Sequence, residues 1–170
     1  KVVRFIPELV RTLNSQTATG FDVLIFNDGI EKASFLFDSL VRKHSIHNVK
    51  GNLFDIRHFA LNQLKKTEYE NIIFQDADDL MTNNRVEESI KALSGFDLVT
   101  NDLDIMNAAG EVKAKKIWSE RLPDMFQFDV EFLKTKNIVG FGNTSIRSKL
   151  LKTEWVKPER ELKAVDWFLF

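Results

Sequence analysis

A short apolar run that breaks on acid sets the strongest limit on this chain: Asn71-Ile72-Ile73-Phe74-Gln75-Asp76-Ala77-Asp78-Asp79. The run is too short to show a helical period, so it reads as a buried parallel strand. Its carboxyl end then delivers Asp76, Asp78 and Asp79 to the edge where open α/β sheets bind ligands. Like charges this close repel one another, and a bound cation offsets them. The same residues also suit the start of a helix near Asn83, because Asp and Asn are favoured caps. At this point both roles stand, a metal site and a helix cap.

Around this run the chain alternates strand and helix. Pro7 and Glu8 open a helix that runs to about Gln16, with Leu9, Val10 and Leu13 on its apolar face. Residues 21–27 form a strand closed by the turn signal Asn27-Asp28-Gly29. A helix is predicted over residues 33–43, with Phe35, Leu36, Leu40 and Val41 inward. Residues 45–49 are a weak strand, and residues 53–66 a strong helix with an apolar stripe from Leu53 and Phe54 to Leu61 and Leu64. Asn83 and Asn84 cap a helix with Val86, Ile90 and Leu93 inward, and residues 96–102 form another strand. Alternation of this kind predicts a largely parallel sheet with right-handed crossovers.

Beyond residue 103 the pattern changes. A hairpin is expected around Ala109-Gly110, a short helix after Asp129, and a strand in the latter part of the glycine-punctuated residues 138–147. Residues 161–170 begin a helix.

The 170 residues suit one domain with a substantial core. A formal charge of -1, with lysines and arginines spread along the chain, offers no basic field for nucleic acid. Without cysteine there is neither a disulfide framework nor a thiolate metal site. No apolar stretch approaches the roughly 20 residues of a membrane span. His44, His47 and His58 lack metal-ligand spacing and read as structural or surface residues.

Four stretches, taken in order, carry a resemblance: Thr12-Leu13-Asn14-Ser15-Gln16, Asp22 to Gly29, Gly51-Asn52 through Asn62, and Gln75-Asp76-Ala77-Asp78-Asp79. Ala164-Val165-Asp166-Trp167 is a weaker fifth. Together they resemble the nucleotide-sugar-dependent glycosyltransferases of family 2, which have the GT-A fold. The resemblance implies a Rossmann-like α/β domain with a mixed, mainly parallel sheet flanked by helices, its N-terminal strand missing or truncated. Residues 1–105 would form the nucleotide-binding part and residues 106–170 the acceptor side.

By the same resemblance Asp78 holds Mn2+ or Mg2+, Asp76 supports the metal or hydrogen-bonds the ribose, and Asp79 stands behind the metal ligand to support it or caps the helix. Asp28 accepts from a pyrimidine imide and Arg57 reaches the nucleotide. Asp166 is the candidate base for the acceptor hydroxyl, and Val165 stands where the family usually has an acidic residue. Gly140, Gly142 and Asn143 are expected on the acceptor side, since glycine lets a ligand approach the backbone. The implied partners are a nucleotide-diphosphate sugar, UDP-linked foremost, and a glycan or other hydroxyl acceptor. A cytoplasmic location is expected, including peripheral association with the inner face of a membrane. Two other classes fit parts of the pattern. One is a GT-A-like module that binds a nucleotide or glycan without turnover. The other is a doubly wound phospho-acceptor or phosphatase domain, which needs a lysine at a later strand end.

Overall fold

The structure, a computed structural model, describes residues 2–123 and 125–152. A 3-10 turn at Val2–Phe5 leads into helix α1 (Ile6–Asn14), with Pro7 in the first turn, where its missing amide donor costs nothing. Ile6, Leu9, Val10 and Leu13 form its buried face. Strand β1 (Val23–Asp28) pairs in parallel with β2 (His44–Val49), from Val23 opposite His44 to Asp28 opposite Val49.

Between these strands the helix expected over residues 33–43 shortens to α2 (Ala33–Leu36). Phe35 and Val41, expected inward, are 70% and 72% exposed, while Phe37 and Leu40 enter the core instead. The cause is distant in sequence. Asn14 Nδ2 donates to the Ser39 carbonyl at 2.8 Å, and the Val41 amide donates to Asn14 Oδ1 at 2.9 Å. Groups that a longer helix would pair internally are thus satisfied by a side chain from α1.

Helix α3 (Leu53–Leu64) starts on a reciprocal capping box, in which Asn52 accepts from the Asp55 amide and Asp55 accepts from the Asn52 amide. Strand β3 (Asn71–Ile73), helix α4 (Arg85–Leu93) and strand β4 (Leu98–Thr100) follow. β5 (Ile105–Met106) and β6 (Val112–Ala114) make the expected hairpin, and α5 (Val130–Leu133) is capped by Asp129, which accepts from the Phe132 amide. A 3-10 turn at Phe141–Asn143 enters strand β7 (Thr144–Arg147), and a second at Ser148–Lys152 follows it.

The domain is mixed α/β, but the expectation of a mainly parallel sheet is corrected. Strand β7 lies between β3 and β4 and runs antiparallel to both. Among the described residues the one parallel pairing is β1 with β2, and the sheets are small. The pairing of β7 extends past its ends, because the Phe74 amide donates to Thr144 O at 3.0 Å and the Arg147 amide to Asp97 O at 2.9 Å. Thr144, Ser145 and Ile146 are all buried, which is what a central strand covered on both faces requires.

The core divides about the strands. On β3, Ile72 joins Phe54, Leu61, Leu64, Phe74, Phe141 and Ile146, while Ile73 packs against the cluster of Ile6, Leu9, Val10, Leu13 and Val86. On β1, Leu24 goes to the first cluster and Val23 and Ile25 to the second. Alternate side chains of a strand point to opposite faces, so α3 covers one face and α1 with α4 the other. Among the described residues no helix is long and apolar enough to cross a membrane.

Candidate functional site

Strand β3 stops where its side chains turn polar. Phe74 still pairs with β7, and then the Asp79 amide donates to the Asp76 carbonyl at 3.2 Å and closes a tight acidic turn. That turn folds Asp79 back beside Asp76. A Cβ at position 142 would lie 2.7 Å from Asp79 Oδ2 and 3.1 Å from Asp76 Oδ2, so both carboxylates converge on the bare α-carbon of Gly142. Glycine is needed there for close approach.

Helix α3 brings Arg57 to the same place. Its guanidinium lies 4.5 Å above the Phe141 ring and 3.6 Å from Asp76 Oδ1. The Phe141 ring in turn rests on Phe74, with centroids 4.5 Å apart, which ties the arginine's platform to the strand that carries the acids. From the other side Arg85, the first residue of α4, donates from Nη2 to the Phe74 carbonyl at 2.8 Å and from Nη1 to Gln75 Oε1.

Charge and burial oppose each other here. Burial pushes the Asp76 carboxyl above its ordinary value near 3.8, with Arg57 and Arg85 pulling down and Asp78 pushing up. Asp79 is exposed as a residue, yet its carboxyl, folded back against Gly142, is raised as well, by partial desolvation first and then by repulsion from Asp76 and Asp78, against the pull of Arg85. Burial lowers Arg57 against the attraction of Asp76, and it pushes Arg85 down to about 10, which leaves Arg85 charged at neutral pH.

The upward shift at Asp79 has a sign that can be measured. A carboxyl whose folded pKa exceeds its unfolded value contributes stability below the unfolded pKa and loses it as pH rises through the folded one. Asp79→Asn is therefore expected to melt above the wild type at pH 7, with the gain fading as pH falls towards 3.8. Thermal denaturation at several pH values checks this, and a lower melting temperature at neutral pH contradicts it.

The remaining expected residues are placed as follows. Asp78 is exposed at the tip of the turn. Asp28 is exposed at the carboxyl end of β1, and its neighbour Asn27 organises that turn by bonding both the amide and carbonyl of Ile30 and Asn48 Oδ1. Neither aspartate makes a side-chain hydrogen bond or ion pair among the described residues. Asn143 is buried with its polar atoms in use. It donates to the carbonyls of Asn101 at 3.3 Å and Ile138 at 3.2 Å and accepts from the Gly140 amide at 2.8 Å, so it fastens the loop that presents Gly142. Asp166 lies outside the described residues. His47 stacks on Phe26 and His58 on Phe54, as structural residues do.

Sequence reasoning missed Gln75, Arg85 and Phe141. A signal for Arg85 was present, because a cation in the first turn of a helix opposes the helix dipole. Among the described residues no group of three His, Asp or Glu side chains forms a metal cage. The two carboxylates over Gly142 are still a donor set of the right kind, since Mg2+ and Mn2+ use few protein oxygens together with substrate phosphates. Fold and site thus define a mixed α/β domain with carboxylates and arginines gathered at the carboxyl end of a strand. Compared with known proteins, the sequence matches no family model and no curated protein.

Proposed function

We propose that the chain is a metal-dependent glycosyltransferase of the GT-A type, moving a sugar from a nucleotide-diphosphate sugar, UDP-linked foremost, to an acceptor hydroxyl. One observation carries the reading: Asp76 and Asp79 close on Gly142 while Arg57, stacked on Phe141, stands beside them. Carboxylate oxygens suit a divalent cation, and a guanidinium on an aromatic ring suits a phosphate or a base.

In this proposal Asp78 is the cation ligand, with Asp79 in support, and Asp28, Arg57 and Asp76 receive the nucleotide. Mn2+ or Mg2+, when bound, supplies Lewis-acid stabilisation of the departing diphosphate. The acceptor oxygen attacks the anomeric carbon, the bond from that carbon to the diphosphate breaks, and the acceptor proton passes to Asp166 as general base. A single displacement of this kind inverts the anomeric centre. Gly140 and Gly142 line the acceptor side, and Asn143 holds them in place.

Calorimetry with UDP, with and without Mn2+, tests the reading. Binding that requires the metal is expected, and its absence rejects the transferase. Turnover is separated from mere binding by comparing sugar-nucleotide hydrolysis in the wild type and in Asp166→Asn. Equal background rates in both would identify a binding module.

Gly142→Ala is a sharper probe of the site. The atoms nearest the new methyl group are the carboxylate ends of Asp79 and Asp76 rather than backbone, so the fold is expected to survive. The carboxylates must separate, and Mn2+-dependent UDP affinity is expected to fall at least about tenfold, which corresponds to roughly 1.4 kcal/mol. Unchanged affinity by the same calorimetry would remove Gly142 from the site.

A further inference from the structure

Arg85 stands where a charged side chain is least favourable. It is 7% exposed, it occupies the first turn of α4 against the helix dipole, and its Nε has no hydrogen-bond partner among the described residues. Stability alone favours an apolar residue at such a position. Local rules broken beside a candidate site point to a role in that site.

Its contacts define the role. Nη2 donates to the Phe74 carbonyl at 2.8 Å, the last strand-paired residue before the acids, and Nη1 donates to Gln75 Oε1. Gln75 Nε2 donates onward to the Asp76 carbonyl at 3.1 Å, the same oxygen that accepts from the Asp79 amide at 3.2 Å. A relay therefore runs from the guanidinium through Gln75 to the carbonyl on which the acidic turn closes.

The other end is anchored too. Gln16 is buried, accepts from the Val86 amide at 3.0 Å and donates to Thr82 O at 2.8 Å, which fixes the start of α4 on the end of α1. The guanidinium is thus a rigid fork between two packed elements. A lysine carries its donors on one nitrogen and has no planar fork, so it reproduces this two-nitrogen geometry only in part.

We propose that Arg85 is the positioning residue of the acidic turn, acting through the Phe74 carbonyl and Gln75 to hold Asp76 and Asp79 together over Gly142. Its consequence for ligand binding rests on the transferase reading above; its structural action does not. The test uses the full chain with Arg85→Met, Arg85→Lys and Gln75→Met, the last cutting the relay while leaving the arginine in place. Backbone amide shifts are read by NMR, and UDP affinity in the presence of Mn2+ by calorimetry.

In Arg85→Met and Gln75→Met the amides of residues 76–79 and 142 are expected to move while those of α1 and the centre of α3 stay. A residue that only supports the core would disturb all of them. UDP affinity with Mn2+ is expected to drop at least about tenfold in Arg85→Met, with partial recovery in Arg85→Lys. Unmoved amides at residues 76–79 in the folded variants, or an Arg85→Lys protein equal to the wild type in both readouts, overturns the proposal. Should Arg85→Met fail to fold, Gln75→Met decides by its amide shifts. Should the wild type bind no UDP with Mn2+, the transferase reading falls, and the amide shifts still decide the positioning role.

Discussion

Asp78→Ala is expected to abolish Mn2+-dependent UDP binding while leaving the melting temperature within about 2 °C of the wild type. The two halves of this result have separate causes. Asp78 is exposed, and its charge pushes up the pKa of both Asp76 and Asp79, so removing it relieves repulsion and breaks no side-chain hydrogen bond or ion pair among the described residues. On the proposed function a bound cation would stabilise the diphosphate by several kcal/mol, and loss of its ligand is expected to cost at least about 100-fold in affinity. Calorimetry and thermal denaturation on the same samples read both halves. Asp79→Ala is the informative companion. If Asp78→Ala keeps its affinity while Asp79→Ala loses it, the cation belongs to the pair over Gly142 and the assignment of Asp78 is rejected.

Ile146→Ala is expected to be the most destabilising of these substitutions. Ile146 is 2% exposed, stands opposite Ile72 on β3 and Leu98 on β4, and belongs to the cluster that includes Leu61 and Phe141. Truncating a fully buried isoleucine removes its transfer free energy and leaves a cavity, which together cost about 2–5 kcal/mol. For a chain of this length each kcal/mol lowers the melting temperature by roughly 2–4 °C, so a fall of about 4–20 °C is expected. Urea denaturation gives the free energy directly. A loss under about 1 kcal/mol would mean that β7 is not enclosed between β3 and β4. Val41→Ala, on an exposed side chain, is the control and should change little.

These predictions rest on features that differ in how readily the chain discloses them. The acidic cluster and helix α3 were visible because their causes are local. An apolar run ending in aspartates, and an apolar stripe from Leu53 and Phe54 to Leu61 and Leu64, act within a few residues of themselves. Arg57 and Asp76, chosen from resemblance, do meet, at 3.6 Å. The resemblance also suggested a mainly parallel sheet, and periodicity agreed. The strand expected in the latter part of residues 138–147 is there as β7, but its place escaped both, because it runs antiparallel between two strands far back in the chain. Helix α2 came out too long in prediction because Asn14, remote in sequence, takes the backbone groups that would have continued it.

By itself, then, the sequence determined which segments are helix or strand and where the carboxylates leave the sheet, since periodicity, caps and turn residues act over a few positions. Tertiary structure alone decided that β7 separates β3 from β4, that Asp76 and Asp79 meet over Gly142, and that Arg85 is buried behind them. The physical reason is common to all three. Each depends on groups far apart in the chain that gain burial or a hydrogen bond only once the layers have packed, and no local pattern records a partner that arrives later.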